Sequence, residues 1–165
     1  MQLRKSLQYL TLIIPLPLLL TSCWQNKKTM EQTTTHAIRL LPGKDVKKEI
    51  QSFVEKNHIK AGWIATCVGS LTHYQIRFAN QNKGFSDSGH FEIVALSGTL
   101  SENGSNLHIA VSDSTGKTIG GHLMENCIVY TTAEIIIQES KKHVFKREKD
   151  GSTPWEELQI EVLKQ

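Results

Sequence analysis

The sequence predicts an α+β domain, one helix set against a predominantly antiparallel sheet. Three observations lead there. Only one stretch carries apolar residues at helical spacing, from Val46 to Val54. Most of the chain beyond that stretch is rich in β-branched and aromatic residues, in short runs parted by turn-forming residues. Neither an internal repeat nor a linker interrupts residues 36–165.

The N-terminal segment reads as an address rather than as part of the domain. Residues 1–6 hold Arg4 and Lys5 and no acid, and residues 7–20 are almost wholly apolar. That run falls short of the ~20 apolar residues a membrane-spanning helix needs. A basic start before a short apolar run is the layout of a secretory signal. Leu20-Thr21-Ser22-Cys23 then resembles a bacterial lipobox, in which cleavage precedes the cysteine and Cys23 is acylated. Several acyl chains hold a membrane firmly where one is marginal. The expectation is a signal over residues 1–22 and an exported protein, lipid-anchored at Cys23 in the bacterial cell envelope. Trp24 stands where an Asp would argue for the inner membrane, which favours the outer one. Plain secretion with a chance cysteine is the alternative. Residues 23–34, polar and Thr-rich towards their end, are expected to form a tether, and residues 35–165 the domain.

Removing Arg4 and Lys5 with the signal lowers the net charge from +3 to +1. A chain so close to neutral has no electrostatic footprint for nucleic acid. Lys141-Lys142 and Lys146-Arg147 are interspersed with Glu139, Glu148 and Asp150, a mixture that reads as a solvated face. Cys67 and Cys127 lie in strand-like segments, as two buried thiols or, in an oxidising compartment, as a bridge. Neither has a second cysteine at CxxC spacing, so no thiolate metal site or redox motif is indicated.

Individual elements can be placed in chain order. Residues 36–41 are a first strand candidate, ended by Pro42-Gly43. Asp45 stands before the stripe Val46, Ile50, Phe53, Val54, as an N-cap for a helix running to about Asn57. Residues 62–71 and 74–79 read as strands around Gly69-Ser70, and residues 80–89 as a polar loop. Strands over 91–100 and 107–112 flank a turn at 102–105, and residues 113–116 form another turn. Residues 127–138, rich in Thr and Ile, read as a central strand; 144–147 and 158–163 are expected to pair at an edge.

Several segments in this order carry a resemblance. They are Arg39-Leu40-Leu41-Pro42-Gly43-Lys44-Asp45, Val68-Gly69-Ser70-Leu71, Ile76-Arg77, Phe91-Glu92-Ile93 and Leu96-Ser97-Gly98-Thr99-Leu100. Leu107-His108-Ile109-Ala110-Val111-Ser112-Asp113, Gly120-Gly121-His122-Leu123 and Thr131-Thr132-Ala133-Glu134 complete the set. Together they resemble the plant-and-prokaryote conserved (PPC) domain, in its free-standing bacterial type. The resemblance implies a twisted, mainly antiparallel sheet with one main helix packed across it, and a homotrimer. In plants the domain follows short DNA-binding hooks. No Arg-Gly-Arg-Pro-type hook stands in this chain, so nucleic-acid binding is not expected of it.

The candidate site is built on His108 and His122. Neutral imidazole is the commonest metal ligand, and zinc takes three or four N, S or O ligands. Bacterial relatives often have His-x-His in the strand where this chain has Asn106 and His108, which with His122 would give three imidazoles. Asn is a poor ligand for a transition metal such as zinc, so that departure leaves the site weakened, lost or completed elsewhere. Alternation places residues 106 and 108 on one sheet face. His90 is the candidate replacement if its strand lies alongside, Glu134 a candidate carboxylate, and a neighbouring subunit a third source. The structural alternative is that His108 and His122 form a hydrogen-bonded polar cluster at a subunit interface. Arg77, a charge inside an apolar strand, is expected either to pair with Glu134 or Glu92 or to hold an anionic ligand in its planar fork. Trp63 and Trp155 read as packing residues. No nucleophile elbow or phosphate loop is present. The expected function is a trimeric, envelope-anchored module that binds a metal or small ligand. A metal-dependent hydrolase or lyase with Glu134 as base, and a purely structural or partner-binding trimer, are the alternatives.

Overall fold

A computed structural model describes residues 33–164. The expected signal and Cys23 lie outside the described residues, as does most of the expected tether. Its last two residues, Thr33 and Thr34, open strand β1 (Thr33–Leu40) instead, because every residue from Thr33 to Leu40 finds a partner on a neighbouring strand.

Helix α1 (Val46–Lys56) forms where the apolar stripe predicts it. The Asp45 carboxylate accepts from the Lys48 N–H at 3.2 Å, satisfying a donor that a helix start leaves without an internal partner. Its other oxygen accepts from the Asn126 N–H at 2.6 Å and so ties the helix start to a distant loop. At the far end Asn57 Nδ2 donates to the Phe53 carbonyl at 2.8 Å. Val46, Ile50 and Val54 are fully buried, each stabilising by about 1.5–3 kcal/mol.

Strands β2 (Gly62–Arg77), β3 (Phe85–Ser101), β4 (Gly104–Ser112), β5 (Thr118–Leu123) and β6 (Ile128–Ser140) join β1 in one sheet. Its order is β1-β6-β2-β3-β4-β5 and every pairing is antiparallel. β2 also pairs with β5 through Ile76↔Leu123 and Arg77↔His122, so these four strands curl round and close on one another. β7 (His143–Glu148) and β8 (Glu157–Val162) pair with each other in a hairpin, as their patterning suggested, but in a separate two-stranded sheet rather than at an edge of the six-stranded one.

Three elements differ from the expectation. β2 is one continuous strand, because the irregularity around Gly69-Ser70 is absorbed by register shifts beside Ser70 and Thr72 rather than by a turn. β3 starts at Phe85, inside the segment whose polarity marks a loop. Ser86, Asp87 and Ser88 pair with the far end of β2 while staying exposed, so backbone bonding and not burial makes them a strand. β5 carries Gly120-Gly121, and no apolar alternation announces it.

The core lies between the helix and the inner faces of the strands, with Leu71, Ile76, Leu100, Leu107, Leu123, Ile135 and Ile137 almost fully buried. Cys67 and Cys127 are free and buried. Burial pushes their thiols up, to about 12 and about 11, which keeps both protonated.

Candidate functional site

The closure of β5 onto β2 builds the site. β5 approaches closely because Gly121 has no side chain: a Cβ there would stand 2.6 Å from the Arg77 carbonyl oxygen and 2.9 Å from Ile76 Cγ2. With that approach His122 lies opposite Arg77 on one side and opposite His108 on the other. The three side chains thus form a row across β4, β5 and β2. The two imidazole rings meet edge to face, their centroids 5.7 Å apart. Asn106 and His108 share the outer face of β4 while Leu107 and Ile109 point into the core.

This row floors a cavity of about 720 Å³, within the size range of small-molecule sites. Lys47 enters from the first turn of α1, and Arg147 and Trp155 enter from the hairpin. Asn103 anchors the hairpin there: its Nδ2 donates to the Arg147 carbonyl at 3.1 Å and its Oδ1 accepts from the Arg147 N–H at 3.2 Å. The Arg147 side chain donates from Nη2 to Thr99 Oγ1 on β3. Its Nε is buried with no hydrogen-bond partner among the described residues. The Arg77 guanidinium lies over the Trp155 ring, 5.5 Å from its centroid.

The electrostatics are one-sided at the floor. Partial burial, and then the charges of Lys47, Arg77, His108 and Arg147, hold His122 down at about 4, well below the ordinary imidazole value. His122 is therefore neutral near pH 7, with a lone pair available to a ligand. Three acids also line the cavity, and one of them, Glu157, partly offsets the charge of Arg147. Glu125 pairs with Lys48 at 3.1 Å, Glu157 accepts from Thr153 Oγ1 at 2.5 Å, and Glu156 is exposed.

The sequence-derived candidates divide into two groups. Arg77, Asn106, His108 and His122 are brought together. His90 and Glu134 are not. β3 does lie beside β4, but the register puts Ser97 opposite His108. His90 is thus displaced by seven residues, about 23 Å at strand spacing, and stacks instead on Tyr130 with ring centroids 4.3 Å apart. Glu134 sits exposed on β6, opposite Arg39 and Val68. It is out of reach of Arg77 and of the histidines. Glu92 lies opposite Ser70 and Ser112 and is no partner for Arg77 either.

Lys47, Arg147 and Trp155 are the residues that sequence reasoning passed over. Trp155 is not a packing residue: it is 58% exposed and serves as a platform for Arg77. Lys146 and Arg147 are not one solvated pair. Strand alternation sends Lys146 out to Glu161 at 2.6 Å and Arg147 inward. A usable signal was present at Lys47, a cation in a first helical turn, where the macrodipole favours acids.

For a metal, the described residues supply two imidazoles at a separation two ligands of one ion could adopt, and no group of three His, Cys, Asp or Glu side chains. That falls one short of the three protein ligands of an open zinc site.

Comparison with known proteins agrees with this architecture. The model of the Plants and Prokaryotes Conserved domain matches residues 27–141. A bifunctional protein GlmU from Synechococcus sp. is 43% identical over 128 residues, 78% of this chain but only 21% of that protein, so the chain spans about a fifth of its length. A hypothetical protein from Salmonella cholerae-suis has a solved structure with a TM-score of 0.78 and 41% identity, covering 80% of this chain and 96% of that one. A protein from Archaeoglobus fulgidus, described as metal-containing, superposes with a TM-score of 0.65 at 22% identity, over 76% of this chain and 93% of that one. The matched residues run from before β1 through β6 and include both histidines of the floor; this chain belongs to the Plants and Prokaryotes Conserved domain family.

Proposed function

We propose that the chain is a binding module whose His108–His122 cavity holds a small molecule, without catalysis. The observation that carries the reading is the convergence of two imidazoles, three cations and an exposed indole on one concave space of about 720 Å³. No nucleophile–base pair stands among these residues, and Glu134, the base an enzymatic reading needs, lies elsewhere. The test is a screen of small polar compounds by ligand-detected NMR against the full-length protein and its His108→Ala and His122→Ala variants. Binders that lose their signal with both variants are expected. A screen without binders, or with binders indifferent to both substitutions, overturns the reading.

A metal is the second reading. It is favoured by the edge-to-face imidazole pair and by the metal-containing Archaeoglobus relative. It requires a third ligand from outside the described residues, such as a neighbouring subunit. The same proposal makes the protein a homotrimer anchored in the envelope at Cys23. Val68 and Val94 support an assembly surface: they stand on the neighbouring strands β2 and β3, 56% and 57% exposed. Nucleic acid has no part in the proposal, since the cationic groups line a cavity rather than an open face.

A further inference from the structure

Beyond residue 141, where the family match ends, the chain continues into the β7–β8 hairpin. This hairpin shares no strand ladder with the six-stranded sheet, yet it supplies Arg147 and Trp155 to the cavity. We infer that the hairpin makes the cavity selective for a small molecule bearing an oxyanion group, a carboxylate or a phosphate, held between Arg77 and Arg147.

Two independent observations point there. The first is that three cations, Lys47, Arg77 and Arg147, converge with no ion pair on any of them among the described residues, although Glu125, Glu156 and Glu157 line the same cavity and Glu157 lies near Arg147. Among the described residues Arg77 reaches the Gln81 carbonyl, at 3.5 Å, and the Trp155 ring. Cations gathered in this way repel one another, and a bound anion relieves that repulsion. The second observation is the Arg147 Nε, a buried donor with no partner among the described residues. Leaving such a donor unmet is destabilising, and native proteins rarely tolerate it without a reason. Guanidinium groups match planar and tetrahedral oxyanions through paired N–H donors, which an ammonium does not reproduce.

The rest of the lining fits such a ligand. His108 and His122 offer ring N–H donors, and Asn106 a side-chain amide, to the remainder of the molecule. Trp155 faces the Arg77 guanidinium from one side, with its ring centroid 5.5 Å away.

The assignment rests on the cavity reading above. Its test uses the full-length protein, titrated by calorimetry with inorganic phosphate and, separately, with succinate at constant ionic strength. At least one of the two is expected to bind saturably, and which one decides between a phosphate and a carboxylate headgroup. Arg147→Lys, which keeps the charge but loses Nε, and Arg77→Gln are each expected to weaken that binding by about tenfold or more. Lys47→Gln, in the first turn of α1, should weaken it less. Lys56→Gln, at the opposite end of the helix, should leave it unchanged. Should Arg147→Lys loosen the hairpin, Arg77→Gln still decides the matter, because Arg77 lies in the main sheet. Binding of neither anion, or equal binding by wild type and both arginine variants, overturns the assignment. A neutral compound that binds through His122 while both anions fail would sink the anion assignment alone. The absence of any histidine-dependent binder would sink the cavity reading with it.

Discussion

At the scale of single residues, His122 has the most consequential environment. Partial burial, and then neighbouring cations and a second imidazole, delay its protonation in the folded state until about pH 4 rather than 6.5. The unfolded chain takes up that proton at the ordinary value. Between the two the unfolded state binds more protons, so the contribution of His122 to stability is whole above about pH 6.5 and is lost as the pH falls towards about 4. Urea unfolding at about pH 7.5 and about pH 4.5 should show the wild type losing more stability than His122→Gln. Parallel losses would mean that the imidazole is not held neutral. How much of this site was legible in advance differs from residue to residue. His108, His122 and Asn106 could be paired on paper because strand alternation fixes their face. Arg77 could be singled out because a charge inside an apolar strand needs a reason. The failure of His90 and Glu134 has a physical basis: a sequence gives a residue its face but not its register, and a slide of several positions along a strand carries a ligand out of range.

At the scale of elements, the helix was the most legible piece, since its cap, its stripe and its end are all local signals. β5 was the least legible. It owes its place to what it lacks, a side chain at Gly121, and close approach between backbones leaves no periodic trace. Gly121→Ala tests that account. The new methyl would meet the Arg77 carbonyl, a backbone atom with little freedom to move. Overpacking of this kind costs about 1–3 kcal/mol. A lower thermal midpoint is expected, together with weaker ligand binding, because the shift separates His122 from Arg77. Unchanged stability would show that β5 does not need its close approach to β2. The hairpin was foreseen as a pair of strands but not as part of a site. Its contribution comes from Arg147 and Trp155, which are close in space to the histidines and far from them in sequence.

At the scale of the whole molecule, the domain and its proposed attachment are separable. Cys23→Ser is expected to release the protein from the membrane fraction without altering its mass by light scattering, since acyl chains and subunit contacts act independently. Retention in the membrane would remove the lipid anchor from the account, and a monomer from the wild type would remove the trimer. The separate hairpin sheet gives the molecule two tiers of stability. A two-stranded ribbon is marginal by itself in water. This one is held by a few bonds to the body, among them the Asn103–Arg147 pair and the Phe145 N–H on the Lys60 carbonyl at 2.9 Å. Its amides are therefore expected to exchange with solvent through a local opening that leaves the six-stranded sheet intact, which hydrogen exchange would show. A ligand of the proposed kind is then expected to exchange on the timescale of that opening, long before the protein itself unfolds.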